Sequence, residues 1–100
     1  MHVTFANKGL EKCYQQAQVR VKRWGKSVAR RYVNRVDILY ASTSAQDLYA
    51  LPQLRLHPLA GDREGEYATD LGHKWRLIVT FSDREMTVVR VEEVSDHYGD

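Results

Sequence analysis

The apolar residues of this 100-residue chain change their spacing at Pro52, and that change restricts the fold more than any other feature. Before it they recur every three or four residues, as Leu10, Tyr14, Ala17 and Val21, then as Val28, Tyr32, Val36 and Leu39. That step lays a stripe along one face of a helix. After it they alternate: Leu54 and Leu56; Tyr67, Thr69 and Leu71; Trp75, Leu77, Val79 and Phe81; Thr87, Val89 and Val91. Alternation is the step of a strand with one buried face. A chain that is helical first and β second, with one apolar side to each part, buries both by packing the helices on one face of an antiparallel sheet. The expected class is α+β.

Finer punctuation divides the two halves. Val3 and Phe5 suit a short opening strand, and Ala6 to Gly9 a turn. Trp24 and Gly25 interrupt the first helical stripe, and Ser27 can cap the amides of a second helix. Two helices with a short joint form a hairpin. Ser42 to Ala45 closes it, and Asp47, Leu48 and Leu51 allow one further turn before Pro52. The spacing then predicts about four strands, the clearest over Lys74 to Phe81, with a polar turn at Ser82 to Glu85 and a last strand ending near Val94. Trp75, Leu77, Val79 and Phe81 are the set expected to meet the helices.

One hundred residues suit a single domain spanning 1–100. No apolar run approaches the roughly 18 residues of a membrane span, the start lacks the pattern of a secretory signal, and Cys13 is the only cysteine. These features lead to the expectation of a cytoplasmic protein without a disulfide. No phosphate-loop or dinucleotide glycine pattern occurs, and His2, His57, His73 and His97 show no pair spaced as metal ligands on one helix. No cofactor is implied. The net charge of +2 matters less than its placement: Arg20, Lys22, Arg23, Lys26, Arg30, Arg31 and Arg35 form a block with no acid among them. Such a block is either a solvated helix face or an attractor of phosphate, with Arg23, Lys26 and Arg30 as candidate contacts.

The sheet's second face is where chemistry could sit. His57 falls out of phase with Leu54 and Leu56, so it should point away from the core, where an imidazole suits proton transfer. Arg76, between Trp75 and Leu77, needs a solvent-facing side or a partner such as Asp70 or Glu92; its planar fork could instead hold a phosphate. Arg63, in the turn Gly61 to Gly65, could do the same, as could Lys74 and Arg90. Asp96, His97 and Tyr98 put an acid, an imidazole and a phenol just past the last strand. For each, an ordinary surface or ion-paired role is the alternative.

Several of these segments resemble the HigB-like toxins of the RelE/ParE superfamily. Phe5 with Lys8-Gly9-Leu10 is similar to the family's opening pattern. Ala45, Asp47, Leu48, Leu51 and Pro52 resemble its loop before the sheet, Leu56 to Gly65 its histidine-proline-leucine hairpin, and Trp75-Arg76-Leu77 its tryptophan-arginine strand. The resemblance implies a helical hairpin on an antiparallel sheet. It also implies a toxin of a type II toxin–antitoxin system that enters the ribosomal A site and cuts mRNA without metal, by 2′-hydroxyl attack on the neighbouring phosphate. His57, Asp96, His97 and Tyr98 would then serve proton transfer and positioning, and Arg76 would stabilise the phosphate. Implied partners are the 70S ribosome, mRNA and a HigA-like helix-turn-helix antitoxin. Two positions depart from the pattern. Ala60 stands where the family often has lysine, and Asp96-His97-Tyr98 inverts the usual aspartate-tyrosine-histidine. These departures keep alternatives open: a non-enzymatic ParE-like inhibitor of DNA gyrase, or an RNA-binding regulator on the same fold.

Overall fold

The computed structural model describes residues 1–96, and the elements follow the sequence pattern with two changes that matter. Strand β1 is His2–Phe5, helix α1 Lys8–Gln15, helix α2 Ala17–Ala41 and helix α3 Ala45–Tyr49. Strands β2 (His57–Pro58), β3 (Tyr67–Asp70), β4 (Arg76–Phe81) and β5 (Val88–Ser95) complete the fold. Short 3-10 turns at Pro52–Leu54 and Gly61–Arg63 flank β2. Asp96 follows β5, and the His97 and Tyr98 positions lie outside the described residues.

The first helical stripe is broken earlier than its apolar spacing suggests. Asn7, extended at φ −151°, starts α1 by accepting the Leu10 amide at 2.9 Å, the usual role of asparagine before a helix. Gln16 is extended as well, and the Arg20 guanidinium reaches back to the carbonyls of Cys13 and Tyr14, at 3.1 and 3.0 Å, which α1 leaves open at its end. Helix α2 then bends at Gly25, whose φ of +84° and ψ of 167° no L side chain adopts comfortably. Ser27 lies beyond the bend and accepts from Arg31 at 3.0 Å, which replaces the capping role expected of it. The limb after Gly25 carries the buried stripe Val28, Tyr32, Val36 and Leu39. Tyr32, fully buried, donates its hydroxyl to the Leu10 carbonyl at 2.7 Å and locks α1 to α2.

The sheet has five strands in the order β1-β5-β4-β3-β2, not the expected four. Its helical half lies on one face as anticipated, but the pairing is mixed: β1 runs parallel to β5, with Val3 beside Val89 and Phe5 beside Val91. The remaining neighbours are antiparallel. The parallel pair arises because the whole helical half of the chain intervenes between β1 and the rest of the sheet, as a crossover connection requires. Leu77, Val79, Val89 and Val91 are fully buried with Leu10, Cys13 and the α2 stripe, while Trp75 and Phe81 pack at the margin of this core.

A bulge in β5 decides which side chains face outward beyond this point. Val79 pairs with Val91 but Ile78 pairs with Glu93, so Glu92 is an extra residue. Strict alternation from Val91 would drive Glu93 into the core; the bulge turns it out and sends Val94, opposite Leu77, to the apolar side.

Candidate active site

Register assembles the second face of the sheet into rows. One row is His57, Ala68, Ile78 and Glu93; the next is Asp70, Arg76 and Ser95. His57 and Arg76 are thus two strands and one two-residue step apart, about 12 Å between Cα atoms from ordinary sheet spacings. The face is less bare than alternation alone implies, since Ala68 and Ile78 in the middle of the first row are 2% and 3% exposed.

His57 is exposed, and its Nδ1 lies 2.8 Å from the Arg55 carbonyl oxygen. A carbonyl only accepts, so Nδ1 carries the hydrogen and the neutral ring keeps its lone pair on Nε2. Arg55 itself sits at φ +52°, closing the 3-10 turn after Pro52. That strained corner aims its carbonyl at the imidazole.

Arg76 finds the partner expected of Asp70: Nε lies 3.1 Å from Oδ1, and Arg55 Nε is 3.3 Å from Oδ2. An Nη of Arg76 also donates to the Trp75 carbonyl at 3.0 Å, and its side chain is 14% exposed. The Asp70 main-chain carbonyl accepts from Arg35 Nε at 2.9 Å, so one aspartate gathers three arginines from α2, β4 and the turn before β2. Burial and the neighbouring Arg31 push the Arg35 pKa down. Lys74 lies in the turn ahead of β4, not in the strand itself, and is exposed.

Arg63 is held by two carboxylates. Its Nε donates to Glu66 at 2.6 Å and an Nη to Glu93 at 2.7 Å, and these two bonds, Glu66 first, raise its pKa. It is three residues after Ala60 in the same turn, with its amide bonded to the Ala60 carbonyl at 3.3 Å. Arg90 donates to Glu92 at 2.9 Å, and Glu92 also accepts the Thr80 hydroxyl at 2.6 Å. Asp96 is exposed and follows Ser95, the partner of Arg76, directly in sequence. Arg76 thus lies between His57, on the edge strand β2, and Asp96, just past β5, whereas Arg23, Lys26 and Arg30 belong to α2, on the sheet's other side. Lys26 and Arg30 are exposed at the rim of a shallow hollow of about 550 Å³ beside the Gly25 bend, and Arg23 lies over the Trp24 ring at 5.2 Å. Among the described residues, no three His, Cys, Asp or Glu side chains converge to hold a metal ion.

The carboxylates Glu66 and Glu93 and the Arg55 carbonyl are site features that the sequence reading missed. The β5 bulge hid Glu93, and nothing in the composition distinguishes a carbonyl aimed at a histidine.

The family model describing HigB, the RelE-like toxin of type II toxin–antitoxin systems, matches residues 3–93. The chain belongs to the HigB-like toxins. Solved structures share its fold: YafQ from E. coli strain BL21(DE3), 19% identical over 93% of this chain and 89% of that one with a TM-score of 0.63; a YoeB/ParE toxin from Agrobacterium tumefaciens, 17% identical over 98% and 100%, TM-score 0.59; and the YoeB–YefM complex from Staphylococcus aureus, 17% identical over 98% of each chain, TM-score 0.56. No curated protein matches by sequence. As a type II toxin, this HigB-like chain is one half of a toxin–antitoxin pair. Among its described residues no helix is long and apolar enough to cross a membrane.

Proposed function

We propose that this HigB-like toxin is a ribosome-dependent endoribonuclease that stops translation by cutting mRNA in the A site. The observation that carries the reading is the register that puts Arg76, paired with Ser95 just before Asp96, about 12 Å between Cα atoms from His57, whose Nε2 carries the lone pair of the neutral ring. That gap suits a ribose and its phosphate.

The reaction needs no group beyond the chain and the RNA. The ribose 2′-oxygen attacks phosphorus and gives up its proton, the bond to the 5′-oxygen breaks, and that oxygen takes a proton. The products are a 2′,3′-cyclic phosphate and a 5′-hydroxyl. His57 and the tail residues Asp96, His97 and Tyr98 move or orient these protons. Arg76 stabilises the five-coordinate phosphate, where charge accumulates. Arg63 supplies the cation that Ala60 lacks, and Lys74 and Arg90 hold the flanking strand. Arg23, Lys26 and Arg30 meet ribosomal RNA from α2 through phosphate contacts that weaken with salt. The neutralising partner is a HigA-like helix-turn-helix antitoxin, and the protein works in the cytoplasm.

A non-enzymatic role, gyrase inhibition by protein contact or RNA binding without cleavage, gains support from one feature. Arg63, Arg76 and Arg90 are all paired with carboxylates, which suits a structural face. Programmed 70S ribosomes decide between these. Cuts that require ribosomes, persist with a chelator and leave 5′-hydroxyl ends are the expected result. Folded protein that cuts nothing under these conditions overturns the enzymatic reading.

A further inference from the structure

The two carboxylates on Arg63 are not equivalent. Glu66 lies three residues away on the same hairpin, is 31% exposed, and takes Nε at 2.6 Å. Glu93 comes from β5, thirty residues on, is 47% exposed, and takes the outer Nη at 2.7 Å. Glu66 thus holds the inner nitrogen, while Glu93, itself at the end of the His57 row, holds an Nη. A guanidinium fork binds carboxylate and phosphate with the same geometry.

We propose that Glu93 is a displaceable stand-in for an RNA phosphate. An incoming phosphodiester takes the Arg63 nitrogen that Glu93 holds, and Glu93 swings into water. This inference rests on the RNA-cleaving reading and adds to it a positioning residue that acts through Arg63. The pair, with Arg63 28% and Glu93 47% exposed, is weak enough to exchange, because solvent screens it and two flexible side chains must be ordered to make it. It also keeps Arg63 extended toward the site before substrate arrives, so less side-chain freedom is lost on binding. The exchange swaps one anion for another on the same cation, so Arg63 adds little to the salt dependence of binding while Glu93 is present.

The test is a double-mutant cycle on Glu93→Gln and Arg63→Ala, read by binding of a short single-stranded RNA and by cleavage on programmed 70S ribosomes. Melting temperatures confirm that each variant is folded. Glu93→Gln should tighten RNA binding about two- to fivefold, the range of an exposed ion pair. It should also steepen the slope of log affinity against log salt by about 0.7, one further phosphate contact on a single strand. KM on ribosomes should fall. All three gains should vanish when Arg63 is alanine. An equal gain without Arg63 overturns the proposal by showing a bulk charge effect. A lower kcat for Glu93→Gln at unchanged KM overturns it by placing Glu93 at the reacting atoms. Wild-type protein that shows the full cycle in RNA binding but cuts no mRNA keeps the exchange and removes the enzymatic reading. Wild-type protein that cuts mRNA without an Arg63-dependent gain removes the exchange alone, and protein that neither binds nor cuts removes both.

Discussion

Gly25→Ala isolates the backbone strain of the α2 bend from every other effect. Gly25 holds φ at +84° and ψ at 167°, a region that residues with a Cβ avoid at a cost of about 1–3 kcal/mol. A Cβ built there has no heavy atom within 4 Å, so no clash adds to the cost. If the position could instead become helical, alanine would stabilise it by about 1 kcal/mol over glycine. The sign of the effect therefore separates the two outcomes. For a domain of this size each kcal/mol moves the midpoint by about 4–8 °C, so the expected loss is roughly 5–20 °C in a thermal melt followed by circular dichroism. A D-alanine at position 25, introduced by chemical ligation, matches the positive φ. It should raise stability by about 0.4–1 kcal/mol by restricting the unfolded chain. An L-alanine variant that melts at or above the parent, with more helical signal, would show that α2 straightens and refute the argument.

Two further substitutions probe the sheet. His57→Gln should lower mRNA cleavage on ribosomes by about 10²–10⁴-fold, the usual worth of a general acid or base, while the melting temperature stays close to the parent's because the ring is exposed and, among the described residues, is bonded to the Arg55 carbonyl alone; equal cleavage by the variant would remove His57 from proton transfer. Asp83 receives the Thr87 hydroxyl and the amides of Thr87 and Val88, which hold its pKa below the ordinary 3.8. A depressed carboxyl lends stability that is present above its unfolded pKa and is lost as pH falls through the folded one. Asp83→Asn should therefore flatten the acid side of a melting-temperature profile below about pH 4 and leave its shape near neutrality unchanged; a profile that keeps the parent's acid slope would refute this.

The layers of the fold were legible because burial is written in apolar spacing. Val28, Tyr32, Val36 and Leu39 are buried as their step of three or four requires, and Leu77 and Val79 as alternation requires. Breaks in regularity were harder to place. Gly25 declared its bend through its missing side chain, whereas Gln16 has no such signature, and its break is sealed by Arg20, four residues later. The fifth strand was legible as a strand but not as a parallel neighbour of β5, since Val3 and Phe5 show which face is apolar and nothing about which edge is shared.

The candidate site divides along the same line. Residue types named His57, Arg76 and Arg63, because an imidazole or a guanidinium announces its chemistry wherever it lies. Whether an arginine is available to a phosphate depends on which carboxylate the fold sets against it, and that depends on register. One extra residue at Glu92 converts Glu93 from a residue that alternation would bury into the partner of Arg63. Asp70 likewise reaches Arg76 and Arg55 because β3 pairs with β4 at Asp70 and Arg76. The face that looks cationic in sequence is thus close to charge-neutral in the fold. On the RNA-cleaving proposal, an RNA approaching this face would be drawn less by its net charge than by the phosphate positions that its arginines surrender from carboxylates. Under that proposal the carboxylates, more than the number of cations, would set how selectively the site takes its substrate.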